Sequence, residues 1–297
     1  MYVGVEMGGT KVIVAAGTGP QDLSSPVRIP TLDPEATMAQ VADHIRSLTR
    51  QGTVQGIGIA SFGPVGVIPG KPDYGRILRT PKPGWEGFDV LGAIRHHLKD
   101  TPTIIDTDVN GAAIGEQRWG GGQGLSDFVY VTVGTGIGVG IISGGKPVHG
   151  LLHPEAGHIL VRHDHHADPY KGHCPFHGDC LEGLASGPAI HERTGISGED
   201  LPDDHPAWPL VGGYLAQLYA NLTLVCSPQR ILVGGGVGLN PAVLEASRSN
   251  LTRILAGYID ALSNPAVLVD YIQRAHLGEH AGVLGAIALA ERAAKTG

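Results

Sequence analysis

Residues 2–16, Tyr2-Val-Gly-Val-Glu6-Met-Gly8-Gly9-Thr10-Lys11-Val-Ile-Val-Ala-Ala16, read as two short β-prone runs, Tyr2 to Glu6 and Lys11 to Ala16, joined by Met7-Gly8-Gly9-Thr10. A glycine pair supplies the positive φ angles that a tight connection between strands requires, so the stretch is expected to be a hairpin. The plan returns in the second half of the chain. Phe128 to Val133 and Ile137 to Ile142 flank Gly134-Thr135-Gly136, again with glycine and threonine at the tip. The two hairpins read as an internal duplication, and two similar α/β lobes facing each other would bring both tips to one cleft.

Outward from the hairpins, strand-like and helix-like runs alternate, the pattern of a mixed α/β architecture. Asp33 is placed to cap a helix that begins at Pro34 and runs to Gln51, with Met38, Val41, Ile45 and Leu48 on one face. Gly56 to Ser61 follows as a buried strand. Segment 62–87 carries Pro64, Pro69, Pro72, Pro81 and Pro83, which is too much proline for regular structure and too long for an idle connector. Pro102 to Asp106 is expected as a strand, Val109 to Arg118 as an amphipathic helix, and about 206–226 as helix. Arg230 to Val233 makes a strand entering Gly234-Gly235-Gly236, and another helix and strand lead to a last helix from about Gly282 to Lys295.

The bulk composition excludes several classes. At 297 residues, with 42% hydrophobic and 16% charged residues, the chain is long and apolar enough for two domains of ordinary size. A formal net charge of −7 and the lack of any lysine or arginine run give no electrostatic footprint for nucleic acid. No window has the apolar length of a membrane span, and no basic, then apolar, leader precedes the first strand. With only three cysteines, the chain is expected to be cytoplasmic.

Four features carry chemistry. Gly8-Gly9-Thr10-Lys11, Gly134-Thr135-Gly136 and Gly234-Gly235-Gly236 each follow a strand, and glycine-rich turns let backbone amides converge on phosphate oxygens. None is a Walker A or dinucleotide fingerprint, and any one could be a simple turn; three together point toward a nucleotide. Asp108, where a strand ends and a helix begins, suits a helix cap, a general base for a hydroxyl attacking a phosphoryl group, or both at one carboxylate. Glu155, His158 and Glu182 offer the directional donors and acceptors that hold a polyol. Finally, Cys174-x2-His177-x2-Cys180 spends two of the three cysteines in one short window, and with His158 it makes the four-ligand set of a structural Zn²⁺ site. His163, His165, His166 and His173 crowd the same stretch and are read as solvated loop surface.

Taken together these strings resemble the ROK sugar kinases of the actin-like ATPase superfamily, nearly end to end. Glu6-Met-Gly8-Gly9-Thr10-Lys11 and Thr132-Val-Gly134-Thr135-Gly136 are similar to the family's two phosphate loops, and Thr107-Asp108-Val-Asn110-Gly-Ala-Ala to its catalytic segment. His153-Pro-Glu155-Ala-Gly157-His158 and the loop through Cys180-Leu-Glu182-Gly resemble its sugar and zinc segment. Val233-Gly234-Gly235-Gly236-Val237 resembles its nucleotide-side turn, and Ala281-Gly282-Val-Leu-Gly285-Ala its final helix. Many members carry aspartate in place of Glu6, asparagine in place of Thr107 and a more cysteine-rich metal loop. The Cys-x2-His-x2-Cys form, Ala60-Ser61-Phe62-Gly63-Pro64 and Thr80-Pro-Lys-Pro-Gly-Trp85 are similar to the bacterial fructokinase branch.

The resemblance implies a two-lobed actin-like, ribonuclease H-like α/β fold with a zinc-binding loop at 158–182. A small lobe would span 1–107, with a last helix at about 282–297 packing back on it, and a large lobe 108–281. It implies ATP-dependent phosphorylation of fructose to fructose 6-phosphate with Asp108 as base. ATP would lie toward Gly8, Gly9, Thr10, Lys11, Gly134, Thr135, Gly136, Gly234, Gly235 and Gly236, and sugar toward Ser61, Gly63, Pro64, Thr107, Asp108, Glu155, His158 and Glu182. Mg²⁺ would arrive with ATP, and Zn²⁺ would be structural, on His158, Cys174, His177 and Cys180. Glu6 stands where many members carry a Mg²⁺-linked aspartate, and the assembly implied is a homodimer. The alternatives are a glucokinase, mannokinase or acylhexosamine kinase of the same family, a sugar-responsive regulator, or a sugar-binding module.

Overall fold

The computed structural model describes residues 1–296, which form two compact units. The first comprises Met1–Gly124, Pro147–Pro154 and residues from His276 onward; the second comprises Leu125–Lys146 and Glu155–Ala275.

In the first unit, β1 (Tyr2–Met7) and β2 (Lys11–Gly17) form the expected hairpin, and β3 (Val27–Pro30) pairs antiparallel with β2. The turn differs from its expected geometry. Neither Gly8 nor Gly9 takes a positive φ, and the connection is closed by the Gly8 amide donating to the Lys11 carbonyl at 2.9 Å. Helix α1 (Pro34–Thr49) starts as its sequence dictates, with Asp33 accepting from the Ala36 amide and Met38, Val41, Ile45 and Leu48 buried. Strand β4 (Gly56–Ser61), helix α2 (Val90–His97), strand β5 (Thr103–Thr107) and helix α3 (Asp108–Trp119) complete the run. The sheet order is β3-β2-β1-β4-β5, with β1, β4 and β5 parallel. Proline-rich segment 62–87 has no helix or named strand but is packed: Trp85 is buried edge-on to Phe62 and Phe88, and its indole N–H reaches the Leu32 carbonyl.

The second unit repeats the arrangement. Strands β6 (Phe128–Val133) and β7 (Ile137–Ser143) make the second hairpin, β8 (Lys146–Pro147) lies at the edge, and α4 (Leu181–Ala185), α5 (Gly187–Thr194) and α6 (Ala207–Cys226) follow. Then come β9 (Ile231–Gly234), α7 (Pro241–Leu255), α8 (Pro265–Tyr271) and β10 (Ile272–Arg274). The order β8-β7-β6-β9-β10 matches the first sheet strand for strand, with β6, β9 and β10 parallel. Its core gathers Val131, Val133, Leu181, Leu184, Trp208, Leu215, Tyr219 and Leu251.

The chain then returns to the first unit with α9 (Ala281–Thr296), which packs on β1, β4 and α3. The approach is close enough to require glycine. A Cβ on Gly58 would lie 1.9 Å from the Ala286 carbonyl oxygen, and one on Gly285 only 1.7 Å from that of Gly111. Because α3 is held this way, it falls with the first unit, whereas the expected boundary lay just before it. Among the described residues no helix is long and apolar enough to cross a membrane.

Candidate active site

Strand β5 delivers Asp106, Thr107 and Asp108 to the start of α3. Thr107, not Asp108, is the helix cap: its hydroxyl accepts from the Asn110 amide at 3.1 Å, and its side chain is buried. Asp108 is thereby released from capping and becomes the first helical residue. One oxygen accepts from the Val109 amide at 2.8 Å, and burial pushes the carboxyl up to about 6 despite that bond. A carboxylate near the physiological range is a competent proton acceptor. Glu6, at the end of β1, is pushed up to about 7, first by burial and then by the charge of Asp108; its Oε2 is buried with no hydrogen-bond partner.

A network beside Asp108 escaped the sequence reading. Asp106 Oδ1 accepts from the Thr107 amide at 2.8 Å and from Asn110 Nδ2 at 2.7 Å, and lies 3.2 Å from His149 Nε2. The hydrogen bond to Asp106 raises the His149 pKa. The aspartates at 106 and 108 are therefore different: the first is tied to the side chains of His149 and Asn110, while the bond given for the second is from the Val109 backbone amide. Only the proximity of His149 to the His153-Pro-Glu155 string could have drawn attention to it.

Of the other candidates in the first unit, Ser61 is fully buried and donates to the Phe62 carbonyl at 2.9 Å, and the Gly63-Pro64 bond is cis. The Val65 amide donates to His153 Nε2 at 3.2 Å. At the first hairpin tip Gly9, Thr10 and Lys11 are exposed, and Lys82 Nζ donates to the Gly9 carbonyl.

In the second unit the Gly134 amide closes its own turn on the Gly136 carbonyl at 2.9 Å, leaving Thr135 exposed. Glu182, from α4, fastens to this tip, its Oε2 accepting from the Ile137 amide at 2.9 Å. Gly234 ends β9 in a buried position, while Gly235 takes φ +79 and Gly236 is exposed. Glu155 is exposed, three residues before His158.

His158, Cys174, His177 and Cys180 come together, their donor atoms all within 4.8 Å of one another. Cys174 Sγ is 3.7 Å from His158 Nδ1 and 3.6 Å from His177 Nδ1, and Cys180 Sγ is 3.5 Å from His158 Nδ1. Tetrahedral coordination at Zn–S of about 2.3 Å and Zn–N of about 2.0 Å places sulfur and nitrogen about 3.5 Å apart, so the residues fit such an ion. The knuckle is shaped by Gly178, at φ +65, whose amide and carbonyl both pair with Cys174. Burial raises the Cys180 pKa, so a cation is what would hold it as a thiolate.

The nearby histidines are not all loop surface. His163 is buried between partners, and His173 Nδ1 lies 2.7 Å from Glu192 Oε1. His165 and His166 are exposed.

The model of the ROK family matches residues 2–293. The chain belongs to the ROK family. Within this family it is 40% identical over 291 residues to a fructokinase from Pediococcus pentosaceus, covering 98% of each chain. It is 38% identical over 295 residues to a fructokinase from Zymomonas mobilis, covering 98% of this chain and 96% of that one. A ROK family glucokinase from Streptomyces griseus, solved with glucose and AMPPNP, superposes with a TM-score of 0.75 at 25% identity, covering 98% of this chain and 99% of the other. The ROK assignment and the two mixed sheets agree with the fold class expected from the hairpins.

Proposed function

We propose that this ROK protein transfers the terminal phosphoryl group of ATP to a hexose, and that the hexose is fructose, giving fructose 6-phosphate and ADP. The observation that carries the sugar assignment is the 40% and 38% identity to two fructokinases over almost the whole chain. The chemistry rests on Asp108. Its carboxylate, at the start of α3 and pushed up to about 6, accepts the proton of the attacking sugar hydroxyl. Loss of the proton builds nucleophilic charge on that oxygen only as the phosphorus bond forms, so a base near neutrality suffices.

Glu155, His158 and Glu182 bind sugar hydroxyls. With Nδ1 turned to the cysteines, His158 keeps Nε2 for a substrate or for Glu182, whose Oε1 is 3.9 Å away. Zn²⁺ on His158, Cys174, His177 and Cys180 is structural: it fixes the ring that faces the sugar. Glycines and threonines at Gly8–Lys11, Gly134–Gly136 and Gly234–Gly236 take the nucleotide phosphates, and Mg²⁺, which accompanies ATP, supplies charge neutralisation there.

A coupled assay of ADP release with fructose, glucose, mannose and an N-acylhexosamine tests the reading. Fructose should give the highest kcat/KM. Preference for another sugar would replace the substrate assignment, and no ADP with any of them would leave a binding protein.

A further inference from the structure

His163, His165 and Asp179 form a second cluster beside the cysteine loop. The His163 side chain is 3% exposed. Its Nε2 lies 2.8 Å from the Asp168 backbone carbonyl, which can only accept, so Nε2 carries a hydrogen. In the neutral ring the lone pair is then on Nδ1, and Nδ1 points at Asp179 Oδ2, 3.1 Å away. A lone pair facing a carboxylate oxygen is repulsive unless a positive centre, a proton or a metal ion, lies between them, and what favours a metal ion is the third donor beside the pair. His165 brings another nitrogen to the same oxygen, Nε2 at 3.9 Å, with the two imidazole rings 4.0 Å apart. The three donor atoms lie within 4.8 Å of one another.

We propose that His163, His165 and Asp179 form a second metal site, distinct from the Cys174–Cys180 loop, that takes a borderline divalent transition ion such as Zn²⁺. Two imidazoles and one carboxylate are the donor set of such ions, and a hard ion such as Mg²⁺ is disfavoured. Metal–ligand lengths of about 2.0–2.2 Å put neighbouring nitrogen and oxygen donors about 3.0–3.5 Å apart, which His163 and Asp179 already satisfy. His165, at 67% side-chain exposure, is free to close the remaining gap.

The support behind the site is built as metal sites require. The hydrogen bond from His163 to the Asp168 carbonyl fixes its tautomer with Nδ1 toward the ion. Asp168 is itself held: its carboxylate receives Arg193 at 3.2 and 3.0 Å and the Tyr214 hydroxyl at 2.8 Å. Three protein ligands leave one position for water, so the ion exchanges faster than one bound by two thiolates and two imidazoles. Asp179 adjoins Cys180, and the ion ties the 163–168 loop to the Cys174–Cys180 loop.

The test is equilibrium dialysis of tag-free protein, stripped with chelator, against Zn²⁺ with excess Mg²⁺, with metal content per chain as readout. Wild type should bind a second equivalent, and His165→Ala, a change at an exposed side chain, should bind one fewer. Asp179→Asn should do the same, His166→Ala should bind as wild type, and Cys174→Ser should lose the other equivalent while keeping this one. A His165→Ala protein that keeps the full wild-type metal content overturns the proposal, as does a wild type whose metal is all lost in Cys174→Ser. Failure of the cysteine loop would appear separately, as a Cys174→Ser protein with unchanged metal content.

Discussion

His158 Nε2 stands 3.9 Å from Glu182 Oε1, while the other nitrogen of the same ring lies 3.5 Å from Cys180 Sγ. One imidazole thus looks toward both the proposed metal ligands and a proposed sugar ligand. Stripping metal from the wild-type protein should therefore do two things together. The melting temperature should fall, by about 2–4 °C for each kcal/mol lost in a chain of this size class, and KM for fructose should rise. Differential scanning calorimetry and a substrate titration check both. Unchanged melting after verified metal removal would refute a structural ion.

Asp108→Asn should reduce kcat by about 10²–10⁴-fold, the usual worth of a positioned general base. Because Thr107 is the cap of α3, the helix keeps its start, and far-ultraviolet circular dichroism should match wild type. Near-normal turnover by this variant would remove Asp108 from the mechanism.

The pH dependence of kcat/KM has a definite sign. A base must be deprotonated, and Asp108 is pushed up to about 6, so the rate should climb as pH rises through about 6 and level off above it. Steady-state rates between pH 5 and 8 measure this. A profile flat across that window would exclude Asp108 as the titrating base.

Stability should run the other way. Glu6 rises from 4.5 to about 7 on folding, so the folded protein holds the extra proton between those values. The stability that goes with this raised value is fully present below 4.5 and lost as pH rises through about 7. Glu6→Gln removes the titration. Its melting temperature relative to wild type should increase from pH 5 to pH 8; a constant difference would show that Glu6 is not buried as described.

Gly285→Ala should destabilise the protein by about 1–3 kcal/mol or more, the range for overpacking a core. The added methyl would sit 1.7 Å from the Gly111 carbonyl oxygen, and backbone cannot rotate aside as a side chain can. Chemical denaturation gives the value. A loss under about 0.5 kcal/mol would mean that α3 and α9 are not locked together there.

Periodicity and punctuation made most of the fold legible. Both hairpins, α1 with its Asp33 cap and the long α6 follow from local pattern, which the sheet then preserves. Helix α2 did not show, because its eight residues follow a proline-rich segment and present only Val90, Leu91 and Ile94 to the core. The clustering of Cys174, His177 and Cys180 was legible because they are close in sequence. The Asp106–His149 pair, 43 residues apart, and the attachment of Glu182 to the Ile137 amide, 45 residues away, leave no periodic trace. His163 was misread for the same reason: its partners, Asp168 and Asp179, give no sign of burial in a polar, histidine-rich string.

The return of α9 to the first sheet sets an order of events during synthesis. Strands β1 and β4 are made early, but the helix that covers them is made only after the whole second unit. A nascent chain must therefore carry an apolar sheet face open to water while residues 125–275 emerge, and those residues have their own core to close in the meantime. The first unit therefore gains its covering helix only after the second unit has been made.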